Sequence, residues 1–297
     1  LGNMEAYHSL HVPLVLAYSK EHQDRTNRLI TSVTKEPVQF NRKVAQTGFV
    51  FEPNRLKLEM LGKYEQYRVS DTELLLTGAP VSGKDKDRDT WDVTTTLSYE
   101  LRPNWRPVLK LQYTDHDYLK RELTSTGFDG DDHDSEILRT LAGVSFDYKG
   151  LIGGTALFGR EKRKYAQAGA KEVSGSSAET TISFAPTERF SGQFIYTKMN
   201  RDDNILLNAV DETTYALTLQ QEISSRWLGK VGLSYNNTKF PSSDRNDDKY
   251  GLMGSVVYKI QRGLDLESSY RYQKRDSTEA GLSFDQSIFM LSLKNQF

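Results

Sequence analysis

Apolar and polar residues alternate along most of the C-terminal two thirds of the chain. Within residues 264–277, Leu266 and Tyr270 fall on one face, whereas Glu267 and Arg271 fall on the other. A period of two residues is typical of a β-strand with one apolar and one polar face. The pattern therefore predicts strands rather than amphipathic helices.

The alternation predicts fourteen strands that follow one another as an up-and-down meander, with sixteen as the alternative because residues 35–40 fit either a further strand or a long loop. The predicted strands are 11–21, 44–51, 56–67, 91–101, 107–118, 136–148, 153–165, 177–185, 190–201, 213–223, 228–239, 249–260, 264–277 and 284–297.

The predicted connections fall into two alternating sets, one short and one long. The short ones lie at 103–105, 150–153, 186–189, 224–226 and 261–263, and the long ones at 83–89, 124–134, 167–176, 202–212, 241–248 and 279–283. Short periplasmic turns opposite long extracellular loops are typical of bacterial outer-membrane barrels. We therefore predict an all-β, transmembrane, up-and-down antiparallel β-barrel, with 1–297 as a single domain and 1–10 as a periplasmic N-terminal segment.

Composition and charge narrow the functional classes. Hydrophobic residues make up 37% of the 297 residues, the mean hydropathy is −0.62, and no apolar run is long enough for a transmembrane helix, which needs about 20 residues. The 39 basic and 40 acidic residues nearly cancel, which argues against a nucleic-acid binder. The absence of cysteine excludes disulfides, thiolate metal sites and a cysteine nucleophile.

The last predicted strand is amphipathic and ends in Phe297, with Phe289, Leu291 and Leu293 on the same face. A terminal Phe in this setting resembles the signal by which bacterial barrels are inserted. Tyrosines recur near strand ends, where girdles of aromatic rings are expected at both membrane interfaces. These tyrosines are Tyr64, Tyr67, Tyr99, Tyr113, Tyr196, Tyr235, Tyr258, Tyr270 and Tyr272.

If Phe297 faces lipid, strand parity assigns the opposite, charged face to the barrel lumen. A lumen with charges of both signs holds water and offers hydrogen bonds to sugar hydroxyls, although the same charges can also pair with one another and fill the bore. The predicted lumen-lining residues are Lys57, Glu59, Lys63, Glu65, Asp92, Glu100, Lys110, Arg139, Asp147, Glu179, Arg201, Glu222, Lys230, Lys259, Asp265, Glu267, Arg271, Arg275 and Lys294.

Residues 135–148, 159–165 and 270–277, together with the closing strand, resemble the outer-membrane β-barrel porin family associated with exopolysaccharide and capsule export loci. The resemblance covers most of the chain and rests on diffuse patterns rather than on a catalytic motif. It implies an integral protein of the bacterial outer membrane that conducts or assists export of extracellular polysaccharide. The implied partners are outer-membrane lipid and lipopolysaccharide, the barrel-assembly machinery, a periplasmic polysaccharide-export protein and the polysaccharide itself. The alternative is a non-conducting barrel that anchors or sheathes a periplasmic or surface partner.

Enzymatic chemistry has one candidate residue. His116 lies between Asp115 and Asp117 at the outer end of a predicted strand, where a rim hydrolase would place a His near a Ser and an Asp. No nucleophile elbow, zinc motif or phosphate-binding loop accompanies it, so we predict no enzyme and no cofactor. The acidic residues of the 124–134 loop lack the spacing of an EF-hand, which favours simple solvation over calcium binding.

Overall fold

The computed structural model describes residues 2–7, 10–22, 35–73, 77–78, 80–121, 132–167, 172–202, 209–241 and 244–295. In these residues the chain forms seventeen strands and one short 3-10 helix at Lys84–Lys86. The strands are β1 (Gly2–Tyr7), β2 (Leu10–His22), β3 (Gln39–Phe51), β4 (Leu56–Val69), β5 (Thr72–Glu73), β6 (Pro80–Val81), β7 (Arg88–Tyr99), β8 (Trp105–Tyr118), β9 (Ser135–Tyr148), β10 (Ile152–Tyr165), β11 (Val173–Thr187), β12 (Phe190–Asp202), β13 (Ala209–Ser224), β14 (Trp227–Phe240), β15 (Arg245–Gln261), β16 (Leu264–Ser277) and β17 (Phe284–Asn295).

Fifteen of these strands form one antiparallel sheet in which each strand pairs with the next along the chain, from β1 at one edge to β17 at the other. The remaining two, β5 and β6, make a small separate hairpin within the connection between β4 and β7. The predicted all-β meander is confirmed. Among the described residues, no helix is long and apolar enough to cross a membrane.

The strand count and several strand ends differ from the prediction. A fifteenth strand arises because Gly2–Tyr7, predicted as a periplasmic segment, pairs with β2. This strand of six residues is too short for a period of two to reveal it. β13 and β15 begin at Ala209 and Arg245, inside segments predicted as loops, because backbone pairing continues through polar residues. The strand predicted at 91–101 runs instead from Arg88 to Tyr99.

The connections at one end of the sheet have at most five residues, whereas those at the other end are longer except for the four-residue connection between β14 and β15. In the described residues the short turns cover 52–55, 100–104, 149–151, 188–189, 225–226 and 262–263. In one of them, Lys149 and Gly150 both have positive φ angles, 54° and 68°, a turn geometry that matches the twist of the strands it joins. We call the two ends of the sheet the short-turn end and the long-loop end.

Cross-strand register sorts the side chains onto two faces. Lys63 on β4 is directly paired with Asp92 on β7, which is paired with Thr114 on β8, so these polar side chains share a face. The opposite face carries exposed apolar side chains such as Leu111 and Phe158. We call the first surface the charged face and the second the apolar face.

A small apolar cluster interrupts the charged face. Val108 on β8, Leu141 on β9 and Leu157 on β10 are buried there, and Leu141 is only 1% exposed. Charged side chains flank them on the same face, because Lys110 is paired in register with Leu141, and Glu179 with Leu157. The charged face is therefore partly filled near its centre.

Candidate functional site: the charged face of the sheet

The register places the predicted lumen residues together on the charged face. Direct pairs such as Arg139 with Glu161, Asp265 with Lys294 and Glu267 with Val257 link neighbouring strands on this face. Glu100 follows β7 and contacts this face through Arg106, whose Nη2 donates to its Oε2 at 3.4 Å. Their role in lining a lumen stays a prediction, and Phe297 lies outside the described residues.

The sheet curves so that the charged face is concave. Lys110 Nζ on β8 donates to Glu179 Oε2 on β11 at 2.7 Å, across the two intervening strands. A cavity of about 510 Å³ lies on the same face and is lined by side chains from β3, β4 and β7 to β11. We call this space the central cavity.

Arg139 connects the charged side chains of β9, β10 and β11. Its Nε donates to Ser177 Oγ at 2.6 Å and lies 3.5 Å from Glu161 Oε2, and its Nη1 donates to Glu179. The guanidinium is buried, so these charge-assisted contacts offset the loss of water around it. Arg139 thereby fixes the position of Glu179, which also binds Lys110.

A second cavity of about 340 Å³ adjoins the central cavity toward the long-loop end. Lys63, Asp92 and Gln112 line both, so the two spaces are direct neighbours. We call it the loop-end cavity. Its charged lining residues are Arg42, Lys63, Glu65, Arg88, Asp92, Arg139, Glu161, Arg163 and Arg201.

Arginines near the long-loop end of the charged face stack on aromatic rings. The Arg88 guanidinium lies 5.0 Å from the Tyr67 ring centre and 5.9 Å from that of Tyr118. A cation over an aromatic face is held electrostatically, and such pairs keep a guanidinium in place. The other pairs are Arg163 with Tyr165, Arg245 with Phe240 and Arg275 with Phe284. We call these pairs the arginine–aromatic collar.

The collar was missed by the sequence prediction, which assigned Tyr67 to an outward aromatic girdle. Tyr67 is paired with Arg42 and Arg88, so it belongs to the charged face, and the girdle assignment is wrong for this residue. The sequence contains the information needed to assign Tyr67 correctly. Tyr67 lies two positions after Glu65, which was predicted to face the lumen, and residues two apart on a strand share a face.

Part of the collar is a buried ion-pair network on β15 and β16. Arg245 Nε donates to Asp247 Oδ1 at 2.9 Å, and Ser277 Oγ donates to the same oxygen at 2.6 Å. Arg275 Nε lies 4.0 Å from Asp247 Oδ2. Because all three charged groups are nearly inaccessible to solvent, this network serves to hold the strand ends together.

His116, the only catalytic candidate, faces the loop-end cavity. Its Nδ1 lies 2.9 Å from Thr90 Oγ1, and it is paired in register with Ser135. Asp115 and Asp117 have the opposite parity and point to the other face. The neighbouring acids in sequence therefore do not orient the imidazole, and the absence of enzymatic activity stays a prediction.

The apolar face carries aromatic residues at two levels. On four strands the two levels are separated by eight positions: Trp91 and Tyr99, Trp105 and Tyr113, Trp227 and Tyr235, and Tyr250 and Tyr258. Eight residues span about 27 Å along a strand. At a tilt of about 40° this is about 20 Å across a membrane, close to the apolar band of about 25 Å that such barrels present.

Cross-strand ring contacts extend both levels around the sheet. At the long-loop level, Tyr215 lies 4.9 Å from Tyr196 and 6.1 Å from Tyr235 between ring centres. At the short-turn level, Trp227 lies 4.7 Å from Tyr258. We call these rows the outer and the inner aromatic girdle.

Two loop carboxylates hold strand ends at the long-loop end. Asp134 Oδ1 accepts the backbone N–H of Tyr118 at 2.6 Å, and Asp87 Oδ1 accepts that of Val69 at 2.7 Å. Burial raises the pKa of both carboxyls, although these hydrogen bonds act in the opposite direction. Like charges on Asp132 and Asp117 raise the pKa of Asp134 further.

Metal binding finds no support in the part of the chain that the structure describes, where no group of three or more His, Asp or Glu side chains is placed to hold an ion. The acidic loop considered for calcium falls mostly outside that part, since residues 122–131 are not described.

Comparison with known proteins gives one family and a group of similar folds. The sequence model of the family described as "Putative beta-barrel porin 2" matches residues 4–297. No curated protein shows significant sequence similarity to the chain.

Solved structures with a similar fold include outer-membrane proteins. The FrpB iron transporter from Neisseria meningitidis (F5-1 variant) matches 99% of this chain and 56% of its own, with a TM-score of 0.61 and 10% identity. The outer membrane transporter YddB from Escherichia coli matches 93% and 47%, with a TM-score of 0.52 and 9% identity. The siderophore receptor PirA from Acinetobacter baumannii matches 98% and 62%, with a TM-score of 0.51 and 10% identity. The chain thus spans about half the length of these proteins, and the likeness is one of fold alone.

Proposed function

Because the chain belongs to the family described as "Putative beta-barrel porin 2", we propose that it is an integral β-barrel of the bacterial outer membrane that conducts or assists export of extracellular polysaccharide. In this proposal the charged face lines a water-filled lumen and the apolar face contacts lipid. The partners are outer-membrane lipid and lipopolysaccharide, the assembly machinery, a periplasmic polysaccharide-export protein and the polysaccharide. No enzymatic step and no cofactor belong to the proposal.

The observation that carries the proposal is that the two cavities follow one another along the charged face and share lining residues. The central cavity includes Lys57 and Ser98 near the short-turn end, and the loop-end cavity includes Arg88 and Arg163 near the long-loop end. Side chains between them carry both signs of charge as well as hydroxyl and amide groups. Such a surface replaces the hydrogen bonds of a hydrated sugar without a single dominant field.

The position of the aromatic girdles supports the membrane part of the proposal. Amphipathic rings such as Trp and Tyr are favoured where hydrocarbon meets headgroups. Two rows of rings separated by exposed apolar side chains such as Leu97 and Leu109 match the outer surface of a membrane barrel better than the surface of a soluble sandwich.

A second candidate, a non-conducting barrel that anchors or sheathes a partner, is favoured by the filled centre of the charged face. The ion pair of Lys110 with Glu179 and the burial of Leu141 and Leu157 narrow the space between β8 and β11. If this filling is complete, the cavities do not form a pore.

Conductance distinguishes the two candidates. The purified chain is inserted into planar lipid bilayers, and single-channel current is recorded with and without polysaccharide on one side. The conduit predicts steady conductance that polysaccharide blocks reversibly. A chain that inserts, as shown by membrane fractionation and protease protection, but never conducts would overturn the conduit and support the anchor.

A further inference from the structure

The tight turns at the short-turn end carry a repeated positive charge. Each of the six described turns contains one arginine or lysine, and all six side chains are exposed. These residues, which we call the turn cations, are Arg55, Arg102, Lys149, Arg189, Arg226 and Arg262. The connections at the long-loop end contain more acidic than basic residues, so the positive charge is a property of one end of the sheet.

The acidic residues of the same turns do not neutralise the turn cations. Glu52 and Glu100 both bind Arg106, at 2.9 Å and 3.4 Å, and Glu188 is the third acidic residue of these turns. Within the residues that the structure describes, no turn cation lies within ion-pair distance of a carboxylate. The turns therefore hold three more positive than negative charges.

This positive excess does not depend on where the turns are taken to end. Two residues further into each flanking strand, the chain adds two cations, Lys57 and Arg106, and two carboxylates, Asp147 and Asp265. Because these charges cancel, the excess stays the same.

The turn cations lie beside aromatic rings of the apolar face. Lys149 Nζ is 5.4 Å from the ring centre of Tyr148, and Arg226 directly precedes Trp227 of the inner aromatic girdle. The other neighbouring pairs are Arg102 with Trp105 and Arg189 with Phe190. Since such rings are favoured where hydrocarbon meets headgroups, the turn cations lie at the level of the headgroups.

The turn cations are spread around the sheet and do not converge on one point. Successive short turns are two strands apart, which is about 12 Å in the plane of a membrane for strands about 4.8 Å apart and tilted by about 40°. Each cation therefore meets a separate anion. A leaflet of anionic phospholipids offers one phosphate per molecule, whereas a small soluble ligand offers its charges in one place.

We propose that the turn cations bind the phosphates of anionic phospholipids in the leaflet that surrounds the short-turn end. This inference rests on the membrane part of the proposed function and names the lipid class and the residues that bind it. Guanidinium and ammonium groups both bind phosphate, and a guanidinium does so through a planar fork. Basic residues beside a membrane attract anionic headgroups, and salt weakens the attraction.

Trp227 serves as the local reporter in the test, because it follows Arg226 in the chain. The full chain carrying W91F/W105F is folded into vesicles, and quenching is compared between brominated phosphatidylglycerol, which is anionic, and brominated phosphatidylcholine, which carries no net charge. The anionic lipid should bind at this position about threefold more strongly, as expected for one or two cations near a headgroup, and high salt should reduce the preference. Equal binding of the two lipids would overturn the proposal.

The opposite end of the sheet provides the first control. The variant W105F/W227F retains only Trp91 of the outer girdle, which is paired in register with Asp115. Its quenching should show no preference for the anionic lipid. A preference as large as that at Trp227 would contradict the assignment to the turn cations.

Charge variants of the Trp227 reporter place the effect in the turns. The backbone N–H of Lys259 donates to the Arg226 carbonyl oxygen, so the turn that holds Arg262 adjoins the reporter. R226Q/R262Q should abolish the preference for the anionic lipid. The matched control R160Q/K164Q, which removes two exposed charges of the apolar-face parity near the long-loop end of β10, should leave it unchanged. An equal loss in both would overturn the assignment. Folding is checked by heat-dependent gel mobility, and R226Q replaces the double variant if that one does not fold.

An acidic soluble partner is the other occupant that such charges would suit, and poly-glutamate added to the chain in detergent tests it. Binding of poly-glutamate that R226Q/R262Q abolishes, without any lipid preference at Trp227, would assign the turn cations to such a partner and overturn the proposal.

The outcomes separate this inference from the proposed function. If both brominated lipids quench Trp227 equally, the apolar face stays in the membrane and the headgroup site is lost. If neither lipid quenches Trp227, the membrane part of the proposed function is itself contradicted. A lipid preference in a chain that never conducts retains the headgroup site and loses the conduit.

Discussion

Lys110 and Glu179 form an ion pair of 2.7 Å across two intervening strands, above the buried side chains of Leu141 and Leu157. The apolar pair fills the concave side of β9 and β10, and the ion pair covers it. This arrangement shows how an apolar cluster is kept from water on a face that is otherwise charged, and it links β8 to β11.

The ion pair of Lys110 with Glu179 predicts that neutralising Glu179 lowers the stability of the fold. E179Q leaves Arg139, which is buried, with a weakened partner and removes the charge that Lys110 binds. We expect the free energy of unfolding to fall by about 2 kcal/mol. Urea titration in micelles measures it, with E172Q as control because the pair of Lys162 with Glu172 is exposed. A loss as small as that of the control, about 0–1 kcal/mol, would contradict the structural role.

The close packing of β9 against β10 predicts that a side chain at Gly159 destabilises the fold. A Cβ atom at Gly159 would lie 1.8 Å from the backbone oxygen of Thr140, whereas a Cβ at Gly175 would meet nothing within 4 Å. G159A should therefore destabilise the fold by about 1–3 kcal/mol through forced backbone shifts. G175A serves as the matched control in the same urea titration. Equal stability of the two variants would show that the sheet is less tightly curved here.

The aromatic girdles predict the depth of the three tryptophans in a membrane. Trp91 belongs to the outer girdle, whereas Trp105 and Trp227 belong to the inner one, and all three are exposed on the apolar face. In bilayers, single-Trp variants should be quenched by brominated lipid at about 10–12 Å from the bilayer centre. Emission typical of water, without quenching by brominated acyl chains, would contradict the assignment of the apolar face to lipid.

The raised pKa of Asp134 predicts a pH dependence at the long-loop end. Because burial raises the pKa of this carboxyl, the folded chain binds its proton more tightly than the unfolded chain. Stability therefore decreases as pH rises from the ordinary Asp pKa through the folded value. D134N should flatten this part of the stability profile, measured by urea titration over the acidic range. D134A should lower the free energy of unfolding by about 1 kcal/mol more than D134N does, because alanine also removes the acceptor for the Tyr118 N–H. If the free energy of unfolding of D134N depends on pH as it does in the unchanged protein, Asp134 is not the group that causes this pH dependence.

The period of two in the sequence was enough to predict the meander, because each strand must separate lipid-compatible from polar side chains. The strand at 264–277 was predicted to the residue, and the register places the predicted lumen residues on one face. β1 escaped prediction because six residues give too few repeats, and its pairing depends on the free edge of β2.

The site was harder to predict than the fold because its features come from different strands. The collar depends on Arg88 meeting Tyr67 and Tyr118, which are remote in sequence. The buried leucines at 141 and 157 have the parity of the charged face, so the alternation alone gives no reason for their position. Only the curvature of the sheet brings Lys110 and Glu179 over them.

The most direct test of the account uses three consecutive threonines on β7. Thr94 and Thr96 line the central cavity, whereas Thr95 between them has the opposite parity. Because the chain has no cysteine, T96C and T95C can be compared in planar bilayers before and after a charged, membrane-impermeant thiol reagent. We expect the reagent to change the conductance of T96C and leave that of T95C unaltered. A change in conductance in T95C alone would contradict a lumen lined by the charged face. So would an unchanged conductance in T96C after its cysteine has reacted with the reagent.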